Sequence, residues 1–334
     1  MAATIRDVAK LANTSTATVS KVMNGSYSIS EATAMRVRQA MEELNYHPNL
    51  RARNFVKQST KMIAFVTRLE KSVGFSNPHM FEIMCGLEHS LAEKGYSLIV
   101  KSITEKEVCH YISEAIETKA VDGFVIHASV LSRELDELIF REEIPHIVIG
   151  NPNFNSHFCW IDINNRLAGE MAVKHLLEKG YQSLAFIGGK DEDKISAQRL
   201  EGILYVLNEH DIIVPKNCMQ QESSECDNGY LMTEQILKGK EKPDAIICAN
   251  NYVAYGCVNA LHDHNIAIPD EMAVIAIDDY PFSLVLKPAL TVVDMDVFDI
   301  GVQAGKSILQ KIKKPNLYLQ SYMTLPILIA REST

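Results

Sequence analysis

Apolar residues in the first 45 positions recur with the spacing of short amphipathic helices. A first stripe follows the capping residue Thr4 and contains Ile5, Val8, Ala9 and Ala12. A second stripe follows Ser15 and contains Val19, Val22 and Met23. A third follows the cap Ser30, contains Val37, Ala40, Met41 and Leu44, and ends at Asn45. Two short helices joined by a tight turn, with a third helix to close the core, predict a helix-turn-helix unit.

The rest of the chain alternates short β-rich apolar runs with amphipathic helical segments. The runs lie at 62–66, 97–100, 124–126, 144–149, 184–187, 245–248 and 273–277. One helix between them places Met80, Met84, Leu87 and Leu91 on its inner face and ends at Gly95. This alternation predicts an α/β fold with parallel, helix-covered sheets. The length favours two doubly wound lobes that face a cleft, with ligands at the carboxyl ends of the strands.

Composition narrows the class of protein. The chain has 334 residues, of which 47% are hydrophobic and 22% charged, so it can bury a real core. No apolar run reaches the roughly 20 residues of a membrane span, and the first residues carry no signal-peptide pattern, so we expect a cytoplasmic protein. The seven cysteines include no C-x-x-C pair and predict buried thiols in a reducing compartment.

Charge is divided unevenly along the chain. Residues 1–60 contain eight basic and four acidic residues, a net charge of +4. The remaining residues have a net charge of −13, which gives the whole chain a net charge of −9. A basic head on an acidic body suggests that only the head meets a polyanion.

The second helix of a helix-turn-helix unit enters the major groove of DNA, and its outward N-terminal residues face the base edges. Here those residues are Thr16, Ala17, Ser20 and Lys21. Hydroxyl groups can bond bases or phosphates, an alanine can contact a thymine methyl, and a lysine can reach guanine acceptors. The alternative is a small three-helix domain that binds protein, and the helix pattern alone does not separate the two.

Specific stretches of the head strengthen the DNA-binding interpretation. The segments 4–12 (TIRDVAKLA), 15–24 (STATVSKVMN) and 44–49 (LNYHPN) together resemble the LacI/GalR family of bacterial transcription regulators. Asn13 stands where that family usually has the turn glycine, and asparagine tolerates the same positive φ. Thr14 and Ala34 also depart from the pattern, and the arginine missing at 34 implies one phosphate contact fewer.

The resemblance implies two sets of DNA contacts. In the head they are Thr4, Ser15, Thr16, Ala17, Thr18, Ser20, Lys21 and Asn24. In the segment that resembles the family's hinge helix they are Arg51, Arg53, Phe55 and Lys57. Phe55 stands where a leucine usually wedges into a minor-groove step, a role that a flat aromatic ring can fill. The alternative is that Phe55 packs on the body.

The resemblance also implies the domain organisation. A helix-turn-helix domain spans 1–48, and a hinge helix or linker spans 49–60. The body resembles a periplasmic-binding-protein-like core with an N-terminal lobe at 61–161 and 292–322. Its C-terminal lobe then comprises 162–291 and 323–334. The chain would cross between the lobes near 161, 291 and 322.

Within that core the resemblance places the effector-binding residues His79, Asn164, Arg199, Asn250 and Asp278. The guanidinium of Arg199 can grip two oxygens of a sugar or a carboxylate, and Asp278 can accept hydrogen bonds from hydroxyl groups. Ser224 occupies a position often filled by a stacking aromatic residue. Trp160 or Phe81 would then supply the stacking ring, although either is also suited to the core.

No motif for catalysis stands out, because a phosphate-binding loop, an H-E-x-x-H helix and a nucleophile elbow are all missing from the sequence. His262 and His264 lie near a helix end and are interpreted as solvated, so no metal or cofactor is expected. The sequence therefore predicts a homodimeric repressor that binds a pseudo-palindromic DNA site and responds to a sugar or sugar derivative. The alternative is a sugar-binding protein of transport or sensing without DNA function.

Overall fold

The computed structural model describes residues 3–23, 28–46, 59–69, 78–190 and 193–334. The chain forms two compact units, residues 1–61 and residues 62–334, which we call the head and the core.

The head consists of three short helices around a small apolar cluster. They are α1 (Ile5–Leu11), α2 (Thr16–Met23) and α3 (Glu31–Glu43). The cluster contains Val8, Ala9, Ala12, Val19, Val37 and Ala40, all from the predicted stripes. Thr4 and Ser30 cap α1 and α3 as predicted. Asn13, with φ of 49°, adopts the left-handed conformation expected for its position in the turn.

Two sheets of six strands each, in which all strand pairs but one are parallel, form the centre of the core in the described residues. The first contains β1 (Met62–Thr67), β2 (Ser97–Ser102), β3 (Gly123–His127), β4 (His146–Ile149), β5 (Trp160–Ile163) and β11 (Tyr322–Thr324). Its strand order is β11-β5-β4-β3-β1-β2. The second contains β6 (Leu184–Gly188), β7 (Met219–Gln221), β8 (Ala245–Cys248), β9 (Ala273–Ile277), β10 (Thr291–Asp294) and β12 (Ile327–Ile329). Its order is β12-β10-β9-β8-β6-β7, and only β12 runs antiparallel, against β10. The prediction of two doubly wound α/β lobes is confirmed.

Helices cover both faces of each sheet. They are α4 (Pro78–Ala92), α5 (Val108–Glu117), α6 (Arg133–Arg141), α7 (Asn165–Glu178), α8 (Lys194–Glu209), α9 (Cys226–Lys238), α10 (Asn251–Asp263), α11 (Pro281–Val285) and α12 (Val297–Lys313). Because strand side chains alternate, Ile63 and Phe65 face one apolar cluster while Ala64 and Val66 face another. In the part of the chain that the structure describes, no helix has both the length and the apolar character of a membrane span.

The chain crosses between the two sheets slightly later than the sequence suggested. β5 stays in the first sheet to Ile163, and β11 stays there to Thr324. Residues 292–294, assigned to the N-terminal lobe from the sequence, instead pair in the second sheet, where Val292 lies opposite Ala276 and Ile329. β5, β10 and β11 each pair within a single sheet to the last residue of the strand, so the crossings begin after Ile163, Asp294 and Thr324.

The seven cysteines are all free thiols. Only Cys218, Cys248 and Cys257 are fully buried, so the prediction of uniformly buried thiols needs correction. The others are half-buried, and they are Cys85, Cys109, Cys159 and Cys226.

Candidate functional site

The predicted DNA-contact residues of the head divide into capping and outward-facing side chains. The Thr4 hydroxyl accepts the Asp7 N–H at 3.4 Å, and the Asp7 carboxylate accepts the Thr4 N–H at 2.8 Å, which forms a capping box. Hydrogen bonds from Thr4 lower the pKa of Asp7 below its usual range. The Ser15 hydroxyl accepts the Thr18 N–H at 3.1 Å. Thr4 and Ser15 therefore cap the starts of α1 and α2, and Thr18 provides the N–H that Ser15 accepts.

One face of α2 is open to a ligand. Thr16, Ala17 and Lys21 are exposed, and Ser20 is half-buried on the same side. Val19 points the opposite way and is fully buried in the head cluster. This arrangement matches the geometry in which α2 presents side chains to a groove. Asn24, Arg51, Arg53, Phe55 and Lys57 lie outside the described residues.

A buried polar network lies where the carboxyl ends of β8 and β9 meet α7 and α8. Arg199 is 3% exposed and Asp278 is 8% exposed. Two nitrogens of Arg199 pair with the two Asp278 oxygens, Nη2 with Oδ1 at 3.2 Å and Nη1 with Oδ2 at 3.3 Å. Arg199 Nε donates to Asn165 Oδ1 at 3.0 Å, and Nη1 also donates to the carbonyl oxygen of Ala249. Two of the predicted effector residues thus form one bidentate ion pair.

Close packing of α7 against α8 brings these groups together. A Cβ added to Gly169 would overlap the carbonyl oxygen of Arg199, and one added to Gly202 would overlap that of Arg166. The two glycines therefore let the helix backbones touch, and this contact sets Arg199 within reach of Asn165.

The sharp turn after β9 presents the carboxylate of Asp278. Asp278 has φ of 77°, a left-handed conformation in which aspartate and asparagine are favoured among residues other than glycine. The next residue, Asp279, is held by Arg331 of the C-terminal segment, whose Nη1 donates to Asp279 Oδ1 at 2.9 Å. The same nitrogen donates to the carbonyl oxygen of Leu290 at 2.9 Å. The C-terminal segment thus fixes the turn that carries Asp278.

Two histidines of the other lobe approach this network. Burial lowers the pKa of His79 on α4, and the charges of Asp278 and Arg199 also act on that ring. Burial, with a contribution from His79, lowers the pKa of His127 to about 4. Because His127 Nδ1 accepts the Ser129 N–H at 3.2 Å, the neutral ring carries its proton on Nε2. The cleft therefore contains two histidines for which the neutral form is favoured.

The other two predicted effector residues serve as helix caps. Asn164 Oδ1 accepts the Leu167 N–H at 2.9 Å and begins α7. Asn250 Oδ1 accepts the Val253 N–H at 2.9 Å and begins α10. The side chain that reaches Arg199 is instead the neighbouring Asn165, which the sequence reasoning passed over. The capping pattern is the signal that could have found it, because asparagine is a preferred N-cap and the oxygen of Asn164 is used for that cap, whereas the oxygen of Asn165 accepts from Arg199.

A cavity of about 620 Å³ opens between the segment 151–156 and the first turn of α8. Its lining includes the amide side chains of Asn151, Asn153, Asn155 and Gln198, together with Lys194 and Trp160. Of the two rings considered from the sequence, Trp160 lines this cavity, whereas Phe81 is 47% exposed on α4. The Ser224 hydroxyl donates to Asp193 Oδ2 at 3.0 Å.

Asp162 at the end of β5 connects this cavity to Arg199. One of its oxygens accepts the Asn151 N–H at 3.0 Å. Burial raises the pKa of Asp162, while backbone hydrogen bonds and the charge of Arg199 oppose the shift. Sequence reasoning did not single out Asp162 or Asn151.

Comparison with known proteins identifies both parts of the chain. Residues 4–49 match the model of bacterial regulatory proteins of the lacI family, and residues 173–334 match a periplasmic binding protein-like domain. A relative from Vibrio atlanticus (strain LGP32), the HTH-type transcriptional repressor PurR, is 31% identical over 99% of this chain and 98% of its own.

Solved structures share the fold. The lac repressor dimer bound to operator and the anti-inducer ONPF has a TM-score of 0.80 at 22% identity, covering 100% of this chain and 99% of that one. The transcriptional regulator CelR in complex with cellobiose has a TM-score of 0.72 at 23% identity, covering 99% and 100%.

A helix-turn-helix head followed by a two-lobed core of the periplasmic-binding-protein type defines the class of ligand-responsive transcription regulators. The chain belongs to the LacI family of bacterial transcription regulators. It is a DNA-binding regulator and not an enzyme, which excludes the alternative of a sugar-binding protein without DNA function.

Proposed function

We propose that this regulator is a homodimeric repressor whose DNA binding is controlled by a sugar or sugar derivative bound between the two lobes of the core. The observation that carries the proposal is the buried pair Arg199–Asp278, which lies in the second lobe and acts on His79 of the first. A ligand that contacts both lobes can shift their relative orientation through its different affinity for the two states.

The donors and acceptors of the network suit a polyhydroxylated ligand. The guanidinium of Arg199 has five N–H groups, and the contacts with Asn165, Ala249 and Asp278 use four of them. One N–H therefore remains for a ligand among the described contacts, and the Asp278 oxygens have further lone pairs. Neighbouring hydroxyl groups, which both donate and accept, match this pairing.

The cavity beside Trp160 supports the same ligand class. Its volume of about 620 Å³ lies in the range of small-molecule sites. Amide side chains offer both donors and acceptors to hydroxyl groups, and the face of Trp160 offers an apolar surface for a sugar ring. The solved CelR structure is a complex with cellobiose, which supports a carbohydrate ligand for this fold.

Calorimetry tests the effector site once a thermal-shift screen of sugars, sugar phosphates and nucleobases has yielded a ligand. Arg199→Ala or Asp278→Ala should weaken its binding by about one to two orders of magnitude, because each charge-assisted hydrogen bond is worth about 1.5–3 kcal/mol. Lys238→Ala, which removes an exposed ion pair with Glu234, is the control and should leave affinity unchanged. Unchanged affinity in both cleft variants would place the effector elsewhere.

An exposed apolar surface on α11 supports a homodimer. Phe282, Leu284 and Val285 are 62%, 59% and 67% exposed on one short helix of the core. Such a patch is typical of an interface between proteins, and the lac repressor was solved as a dimer on its operator. Phe282→Glu should raise the dimer dissociation constant in analytical ultracentrifugation, and an unchanged dimer would exclude α11 from the interface.

A dimer should bind a two-fold-symmetric DNA site in the cytoplasm. Selection of the full-length protein against random duplexes should return a pseudo-palindrome, since paired heads contact paired half-sites. Selection that returns only asymmetric sites would contradict the proposal. We also propose that residues 49–60 link the head to the core and that Phe55 wedges into the minor groove of bound DNA, so Phe55→Ala should reduce DNA bending in a circular-permutation assay. Effector affinity should not change, because a wedge acts only when docked in the minor groove.

A further inference from the structure

An acidic cavity adjoins the Arg199–Asp278 pair where the chain passes from β10 to α12. Its volume is about 250 Å³. Five carboxylates line it, from Glu82, Asp278, Asp279, Asp294 and Asp296. Of the described residues that line it, none is basic.

The five carboxylates do not all carry uncompensated charge. Arg199 pairs with Asp278, and Arg331 pairs with Asp279. Asp296 caps α12 by accepting the Asp299 N–H at 3.2 Å, so the positive end of that helix offsets its charge. Glu82 and Asp294 form no ion pair with any described residue. These two carboxylates therefore lack a counter-charge, and burial, with the neighbouring carboxylates, raises the pKa of Asp294.

Tyr280 provides a separate sign of a ligand in the same cavity. It is only 6% exposed, it lines the cavity, and its hydroxyl has no hydrogen-bond partner among the described residues. Burial raises the pKa of Tyr280, and the charge of Asp278 adds to the shift. An unsatisfied buried hydroxyl costs free energy unless a ligand or water completes its hydrogen bonds.

From this geometry we propose that the effector carries a protonated amine, as an amino sugar does, and that this ammonium group binds in the acidic cavity against Asp294 and Tyr280. The inference rests on the proposal that an effector binds between the lobes. An ammonium group donates three hydrogen bonds, enough for a carboxylate and a phenolic oxygen together. Asp278 belongs to both the Arg199 network and this cavity, so one ligand can contact both.

The lining favours an organic cation over a metal ion. Among the described residues, no group of three or more His, Cys, Asp or Glu side chains is arranged to hold a metal. Divalent cations need several oxygen ligands at short distances. The cavity wall instead includes the rings of Tyr280 and Phe298 and the side chains of Met295 and Val297. Aromatic faces attract ammonium groups, and apolar side chains contact the carbon skeleton of an organic ligand.

Matched pairs of probes test the proposal on the full-length protein at constant ionic strength. The pairs are D-glucosamine with D-glucose and putrescine with 1,4-butanediol, and each differs in its ammonium groups. At least one ammonium probe should raise the thermal midpoint of the wild-type protein more than its neutral counterpart does. Asp294→Asn should lower the affinity for that probe at least tenfold, while the oxygen that accepts the Asp296 N–H is retained. Asp270→Asn, which removes an exposed carboxylate outside the cavity, should not.

The result that overturns the proposal is that no ammonium probe stabilises the protein in an Asp294-dependent manner. A neutral sugar that binds through Arg199 and is indifferent to Asp294→Asn would overturn it too, while leaving the proposed function intact. A different outcome is an ammonium probe whose binding depends on Asp294 but leaves the DNA affinity unchanged. That result would support the cation site and contradict the proposal that an effector controls DNA binding.

Discussion

The polar side chains of the head and of the effector cleft form hydrogen bonds that differ in how far apart the two partners lie in the sequence. In the head, Ser15 and Ser30 bond backbone groups three residues away. In the cleft, Arg199 bonds Asn165, 34 residues away in sequence, and Asp278, 79 residues away. The head bonds therefore form with a single helix turn, whereas the cleft bonds require both helices and the sheet edge to be assembled.

This difference predicts that substitutions in the two regions lower the free energy of unfolding by different amounts. A lost helix cap removes one local bond that water can partly replace, at about 1 kcal/mol. A lost partner in a buried ion pair leaves an uncompensated charge inside the protein, which typically costs about 3–5 kcal/mol. Substitutions in the two regions measure how far the contrast holds.

The largest expected effect comes from Arg199→Ala. The variant leaves the Asp278 carboxylate buried without its partner, so the free energy of unfolding of the core should fall by about 3–5 kcal/mol. Trp160 is the only tryptophan and lies in β5 of the core, so its fluorescence in urea follows core unfolding alone. A loss below about 1 kcal/mol would place this pair in the class of weak surface interactions.

The double variant Arg199→Met with Asp278→Asn is the matched control. It leaves no unpaired charge, and asparagine tolerates the left-handed φ of 77° at position 278. It should therefore be more stable than Arg199→Ala. If both variants lose the same free energy, lost packing rather than the unpaired charge explains the cost.

Much of the fold followed from the sequence because its patterns are local. The stripes of α1, α2 and α3 and their caps Thr4 and Ser30 depend on residues within one or two turns. The buried strands β1, β6, β8 and β9 appeared as apolar runs. Short edge strands such as β7 and β11 did not, because half-exposed runs of three residues have no distinct periodicity. The lobe crossings, which the family resemblance had placed, came a few residues too early because a change of sheet has no local sequence signal.

The candidate site was less predictable. Family resemblance supplied Arg199 and Asp278, and the structure places them in contact. It did not supply Asn165, Asp162 or the acidic cavity, because these depend on distant segments meeting. Asn164 and Asn250 show the converse, since a local rule identifies them as helix caps and their side-chain oxygens are used there.

His127 extends the comparison to pH. Its titration should have the next largest effect on the free energy of unfolding. Its pKa is lowered to about 4, from an ordinary value near 6.5, so the unfolded chain binds a proton more readily than the folded one. Its contribution to stability is complete above about pH 6.5 and is lost as pH falls from there towards 4. The free energy of unfolding should fall by about 1.4 kcal/mol per pH unit in that window from this residue.

Urea titrations of wild type and His127→Asn between pH 7 and pH 4.5 check this expectation. Asparagine retains an acceptor for the Ser129 N–H but does not titrate, so the variant should lose part of the pH dependence. His79, whose pKa is also lowered, should account for some of the remainder. Identical slopes in both proteins would mean that folding does not lower the pKa of His127.

Lys21→Ala tests the exposed face of α2. If Lys21 bonds a guanine, discrimination at one base position should fall by about 1–3 kcal/mol. Binding to single-base variants of the selected site measures this. An equal loss on every sequence, with a shallower salt dependence, would instead make Lys21 a phosphate contact.

The smallest expected effect is that of Ser30→Ala at the start of α3. The Ser30 hydroxyl accepts the Thr33 N–H at 3.4 Å, and this cap is local and exposed. Its removal should cost about 1 kcal/mol and accelerate amide hydrogen exchange in the first turn of α3 about fivefold. Ser30→Asp retains an oxygen that accepts the same N–H, so its exchange should stay close to wild type. Trp160 belongs to the other compact unit, so the urea transition that its fluorescence follows should not move in either variant. A shift of that transition in Ser30→Ala would show that the head caps are coupled to the core and would break the contrast between local and long-range bonds.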